Sequence, residues 1–247
     1  ERENRMNVLA LDTSHRTGSI SLRKADGSVL TGKFGPAEMH LKEIGRVTQE
    51  ILAEASMSLR GIDLLALVKG PGSFTGLRIG MAFAKGIHAS LGVRIVTMDT
   101  LELLATPLSA PGVVVAPMID AKRNEVYAAA FIASEDDGSG MRRVVEPLAV
   151  EPGKFLDVLE RSLPAGTRKT VFVGSGAAKY GEMLAALPGD RFETAPEISH
   201  EPSTEALASS APALEPLPDE EIPALEPFYI RASDAELKRL REVRADG

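Results

Sequence analysis

The sequence predicts an α/β protein built from two similar halves around a central cleft, and three observations carry that prediction. Two segments, VLALDTSHRTGSISL and VVAPMIDAKRNEVYAAAF, share one plan: an apolar strand, an aspartate at its end (Asp12, Asp120), a short polar turn and a second strand. Each is followed by helical periodicity and further short apolar runs. The 247 residues suffice for two small domains, and SAPG (Ser109 to Gly112) supplies turn residues just before the second copy begins. The expected division is therefore 6–108 and 109–247.

The elements follow in order. MNVLALDTS reads as a buried strand over Val8–Leu11, and SISLRKADGSVL as strand, Asp26-Gly27 turn, strand. From Pro36 to Ser58 the residues Ile44, Val47, Ile51, Leu52 and Ala55 recur at helical spacing, with Pro36 suited to a first turn. IDLLALVKG is a short buried strand, GPGSFTGLRIG opens a helix over Thr75–Ser90, VRIVTMDT is a strand and TLELLAT starts a helix at Thr100. In the second half VVVAPMIDA, EVYAAAFIAS and RRVVEPLAV form a sheet with a DDGSG turn. EPGKFLDVLERSL is helical, and KTVFVGSGAAKYGEMLAAL reads as strand, glycine turn, helix. Residues 194–226 form a loop with a helix from Ser203 to about Ser210; PFYIR is a last strand and DAELKRLREVR a polar helical tail.

Composition narrows the function. With 44% hydrophobic residues, 4% aromatic and no Trp, the core is built of Ala, Val, Ile and Leu. The absence of Cys excludes disulfides, thiolate metal sites and a cysteine nucleophile, and fits a reducing cytoplasm. A net charge of −7 makes the chain a poor binder of nucleic acid on its own. No apolar run approaches the ~20 residues of a membrane span, and the charged ERENR before Met6 does not read as a signal peptide.

The stretch GPGSFTGLRIG invites three readings that its spacing refuses. A phosphate-binding loop needs Lys-Ser or Lys-Thr after its second glycine, and none follows. A hydrolase elbow needs serine midway between glycines, whereas Ser73 directly follows Gly72. His15, His40, His88 and His200 include no i, i+4 pair, so no catalytic residue and no metal site is expected. What remains is a stripe of small residues, Gly76, Gly80 and Ala84, at i, i+4, i+8. Glycine in a helix costs about 1 kcal/mol against alanine, so the stripe predicts close approach of another backbone. That backbone is either another helix, in this chain or a partner, or a strand of the same chain. Leu77, Met81 and Ile87 supply core contacts beside it.

The strand–Asp–turn–strand echo resembles the actin-like ATPase and sugar-kinase superfamily, a duplicated, ribonuclease H-like fold. In that superfamily two hairpins grip the phosphates of ATP, which would make Asp12, Thr13, Ser14, Asp120, Gly174 and Gly176 a vestigial nucleotide site. NVLALDTS, LVKGPGSFTGLRIGMAFAKGI, MIDAKRNEVYAAAF and EPFYIR, in this order, resemble the TsaB (YeaZ) family from Met6 to about Arg231. The resemblance implies a cytoplasmic, non-catalytic subunit in the making of threonylcarbamoyladenosine on tRNA. It would pair with TsaD, be joined by the ATPase TsaE, and reach tRNA only through that complex. It implies no tightly bound cofactor, ATP or ADP being used by the assembled complex. It places partner contacts on the first two helices, at His40, Ile44, Val47, Gly72, Phe74, Gly76, Arg78, Gly80, Met81 and Ala84, a surface that would pair with a second copy when bare. The competing expectations are an active ATPase or kinase of the same fold, and a peptidase.

Overall fold

A computed structural model describes residues 5–36, 39–134 and 140–231. The first half contains β1 (Val8–Asp12), β2 (Gly18–Arg23), β3 (Val29–Phe34), α1 (His40–Glu54), β4 (Leu64–Val68), α2 (Phe74–Leu91), β5 (Arg94–Met98) and α3 (Thr100–Ala105). The second contains β6 (Val113–Asp120), β7 (Val126–Ala133), β8 (Met141–Val150), α4 (Pro152–Ser162), β9 (Lys169–Val173), α5 (Ser175–Lys179), α6 (Gly181–Ala185), β10 (Phe192–Thr194) and α7 (Thr204–Ser210).

Each half is a five-stranded mixed sheet of one topology. The order is β3-β2-β1-β4-β5 in the first and β8-β7-β6-β9-β10 in the second. In both, three antiparallel strands continue into parallel ones, so that β1 and β6 occupy equivalent places. This is the duplicated actin-like α/β fold.

β1 and β4 are buried along their whole length because both faces of the first sheet are covered. Leu9, Leu11, Leu65 and Leu67 point to the face under α1 and α2, where they meet Ile44, Val47, Met81 and Ala84. Val8, Ala10, Leu64 and Ala66 point to the opposite face and meet Leu207, Ala208 and Ala211. In the second sheet Val114, Ala116 and Met118 pack with Phe155 of α4 and Ala177 of α5. Val115 and Ile119 face Leu101 and Leu104 of α3.

The helices on the second face of each sheet are therefore exchanged. α3, from residues before 109, lies on β6 and β7, and α7, from residues after 109, lies on β1 and β2. Ile222 also joins the first core. Residue 109 lies between the two sheets in sequence, while α3 packs mainly on the second sheet, with Leu103 also reaching the first, and α7 packs on the first.

Other expectations need correction. α1 begins at His40, not at Pro36. The helix read after Gly174 is broken into α5 and α6 at Tyr180. PFYIR forms no strand; its one ladder-like bond runs from the Phe228 N–H to the Lys69 carbonyl. The polar helical tail, and the DDGSG turn apart from Gly140, lie outside the described residues. Among the described residues no helix is long and apolar enough to cross a membrane.

Candidate functional site

The two equivalent turns stand at the carboxyl ends of β1 and β6. In the first, Asp12, Thr13 and Ser14 are at most 2% exposed. The Asp12 carboxylate accepts the Ser14 N–H at 2.8 Å, so this amide is committed within the turn. The amino end of α2 lies directly on top. Ser73 donates its N–H to the Ser14 carbonyl at 2.7 Å and caps α2 by accepting the Gly76 N–H at 3.2 Å. A Cβ on Gly72 would strike the Ser14 carbonyl, one on Gly76 the Thr13 carbonyl, and one on Gly80 the Thr13 hydroxyl.

The small-residue stripe is thus used inside the chain. Gly76 and Gly80 meet Thr13 in the turn after β1, a strand end of this same molecule, and Ala84 is buried in the first core, so none of the three faces outward. Ile44, Val47 and Met81 belong to the first core. His40 is fully buried, its Nε2 3.2 Å from the Arg16 carbonyl and its ring edge-on to Phe34. Of the residues expected to contact a partner, Arg78 is exposed, and Gly72 and Phe74 are half-buried. The outward faces of α1 and α2 are different residues. Leu41 is 72% exposed. Ala82, Phe83, Gly86 and Ser90 line an apolar groove of about 620 Å³ with Leu59 and Leu91.

The second turn is open but filled with charge. Asp120 accepts hydrogen bonds from Lys122 Nζ, Lys179 Nζ and the Lys122 N–H, each at 3.0 Å. Partial burial would raise the Asp120 pKa, but these donors outweigh it and hold the carboxyl below its usual range. The turn itself is strained: Lys122, Arg123 and Asn124 follow one another at φ 62°, 53° and 61°. A left-handed conformation costs such residues ~1–2 kcal/mol each. Gly174 and Gly176 lie against the Met118 backbone, where a Cβ would not fit.

Between the halves runs a cleft of about 700 Å³, lined by His15, Arg16, Thr17 and Lys33 on one side and by Ser175, Ala178, Glu197, His200 and Glu201 on the other. His200 Nδ1 accepts the Gly174 N–H at 3.0 Å, which places the proton of the neutral ring on Nε2. Burial pushes the His200 pKa down against the pull of Glu197. Burial likewise lowers His15, although Asp12 and Glu201 oppose it. Sequence reading treats both histidines as isolated. His200 lies in a segment without periodicity, and no spacing signal joins it to His15.

These residues do not fit a nucleotide gripped in the manner of the superfamily. The first turn is sealed by its own helix, and the carboxylate of the second is neutralised by two lysines. Among the described residues no group of three or more His, Cys, Asp or Glu could hold a metal ion.

Comparison with known proteins bears on the same residues. Residues 36–238 match the family model for TsaD, tRNA N6-adenosine threonylcarbamoyltransferase. The tRNA threonylcarbamoyladenosine biosynthesis protein TsaB of Bacillus subtilis is 26% identical over 233 residues, 94% of this chain and 97% of the relative. The Escherichia coli protein of the same name is 35% identical over 136 residues, 53% of this chain and 57% of the relative. The crystal structure of YeaZ from Pseudomonas aeruginosa superposes with a TM-score of 0.72 at 25% identity, covering 91% of this chain and 99% of that one. The chain belongs to the family that the TsaD model describes, and within it to the TsaB/YeaZ proteins.

Proposed function

We propose that this chain serves in the biosynthesis of tRNA threonylcarbamoyladenosine, in the cytoplasm, as a subunit that performs no chemistry itself and supports a TsaD-type transferase. Its relatives' names supply the pathway. The observation that carries the non-catalytic role is the sealing of Asp12, Thr13 and Ser14 beneath Gly72 and Gly76. Transfer of an acyl group to an adenine amine needs a site that orients the adenylate and stabilises its oxyanion. In the first turn the Ser14 N–H is committed to Asp12, and in the second the Lys122 N–H and Nζ are committed to Asp120.

The partner surface is assigned to the outward faces of α1 and α2, including Leu41, Arg78 and the groove along Ala82 and Gly86. Exposed leucine beside a small-residue groove suits a protein partner better than solvent. TsaD is the expected partner, with TsaE joining the pair; the same faces pair two copies when TsaD is absent. Transfer RNA is reached only through the complex, consistent with a net charge of −7.

The test is reconstitution. The chain is mixed with tRNA, threonine, bicarbonate, ATP and the enzyme that makes the adenylate, with and without TsaD and TsaE. Modified adenosine is expected only when TsaD is present. Product formed without TsaD overturns the reading and makes Asp12 and Asp120 candidates for catalysis. Gly86→Leu, which meets open space in the free chain, should leave the fold intact and weaken the complex; unchanged affinity would move the interface elsewhere.

A further inference from the structure

The segment Pro227–Arg231 crosses from the carboxyl end of β4 and the start of α2 in the first half to the β6–β7 turn in the second. Its first contact is the Phe228 N–H, which donates to the Lys69 carbonyl at 2.7 Å. The neighbouring Gly70 has φ 112°, and a Cβ there would stand 2.8 Å from the Phe228 carbonyl. Both its backbone conformation and the approach of the crossing segment require glycine at this position. Tyr229 then stacks on Phe74 with ring centroids 4.8 Å apart, and its hydroxyl accepts from Arg78 Nε at 3.2 Å. The Arg78 guanidinium lies 3.8 Å over the Phe74 ring. Ile230 packs on the core that α3 shares with β6 and β7. Arg231 ends the crossing: it pairs with Glu125 at 2.6 Å and donates to the Ala121 carbonyl at 3.2 Å.

Arg231 thereby holds the residues on either side of the strained turn Lys122–Asn124. The chain also passes between the halves covalently, through residues 99–112 and 195–203. A covalent connection alone permits bending. The 227–231 crossing differs because its hold on the second half, through Ile230 and Arg231, is non-covalent and can be made and broken.

We propose that residues 227–231 are a latch that fixes the angle between the two halves, with Arg231 as the positioning residue for the turn 122–124. Occupation of the latch narrows the range of cleft openings, and its release widens it. This holds whether or not the chain is a TsaD partner, and the test needs no partner.

The chain has no cysteine, so Glu54→Cys on α1 and Lys154→Cys on α4 give a clean pair for spin labels. The distance distribution between them is measured in the labelled parent and in Arg231→Lys and Tyr229→Ala versions. The lysine keeps the charge but cannot reach Glu125 and the Ala121 carbonyl in the forked geometry of the guanidinium. The expected result is a broader distribution shifted to longer distances in both variants. The Phe228 amide should exchange at least ~10-fold faster while amides at the centres of β1 and β6 stay protected. An unchanged distribution overturns the latch. Global unfolding of both variants also overturns it, because the segment would then be part of the folding core.

Discussion

The turns after β1 and β6 are two copies of one device, and they differ in how they are closed. Asp12 is enclosed: its turn is covered by the amino end of α2, and glycine at 72, 76 and 80 lets the backbone come close enough to seal it. Asp120 is half-buried and is met instead by two lysines that reach into solvent. The first closure is steric and cannot be undone without moving a helix. The second is electrostatic and responds to pH and salt. One plan can thus be closed by packing in one copy and by charge in the other.

The comparison can be broken most severely at Gly76. Gly76→Val forces a side chain into the Thr13 carbonyl, and we expect a loss of about 3 kcal/mol or more, read by chemical denaturation. No mutation of the second turn should match it. Next comes Asp12→Ala, which leaves the buried Ser14 N–H without its acceptor; the expected loss is ~1–3 kcal/mol in the same measurement.

Asp120→Asn should cost no more than about 1 kcal/mol at neutral pH, since its ion pairs are solvent-accessible. Its pH dependence distinguishes it. Asp120 has a pKa held below the ordinary carboxylate value, so its stabilisation is present above that value and is lost as pH falls through the depressed one. Denaturation curves of variant and parent should converge in acid; a constant gap would mean that charge is not what closes this turn.

The smallest effect is expected at Glu102, on the helix lent to the second sheet. Burial, and then the charge of Asp99, raise its pKa against the pull of Arg143 and Lys69. The folded protein therefore keeps this proton more readily than the unfolded chain, and stability falls as pH rises from the ordinary glutamate range through the raised value. Glu102→Gln should remove that decline and gain about 0.5 kcal/mol near neutrality. A melting series across pH checks it, and an unchanged slope would locate the titration elsewhere.

Much of this was legible in the residues, for reasons that the exceptions make plain. Strand, aspartate, turn and strand recur because each copy needs the same local geometry, and periodicity found α2 to within a residue at each end. The glycine stripe correctly announced a close backbone. A missing Cβ records only that something approaches, not whether it is Thr13 of the same chain or a helix of another. The exchange of α3 and α7 was hidden for a related reason. Amphipathic spacing marks which face of a helix is apolar, and Leu103 or Leu207 would read the same over either sheet. PFYIR has strand-like composition, yet it makes a single backbone bond to Lys69 and no ladder, and the contacts of Tyr229 and Arg231 decide its path. His15 and His200 come to line one cleft through tertiary folding alone.

The exchanged helices also bear on how the chain is made. The first sheet is complete in sequence at Met98 and Leu103 reaches its second face soon after, but the cover of that face is finished only when Leu207, Ala208 and Ala211 arrive. At synthesis rates of ~5–20 residues per second, that interval lasts from several seconds to tens of seconds. Throughout it Val8, Ala10, Leu64 and Ala66 present an apolar sheet surface to the surroundings of the ribosome, a surface that chaperones bind. The amino-terminal half cannot finish folding as it emerges; it must wait for residues 204–211, and a nascent polypeptide stalled before residue 204 would be a target for aggregation or degradation.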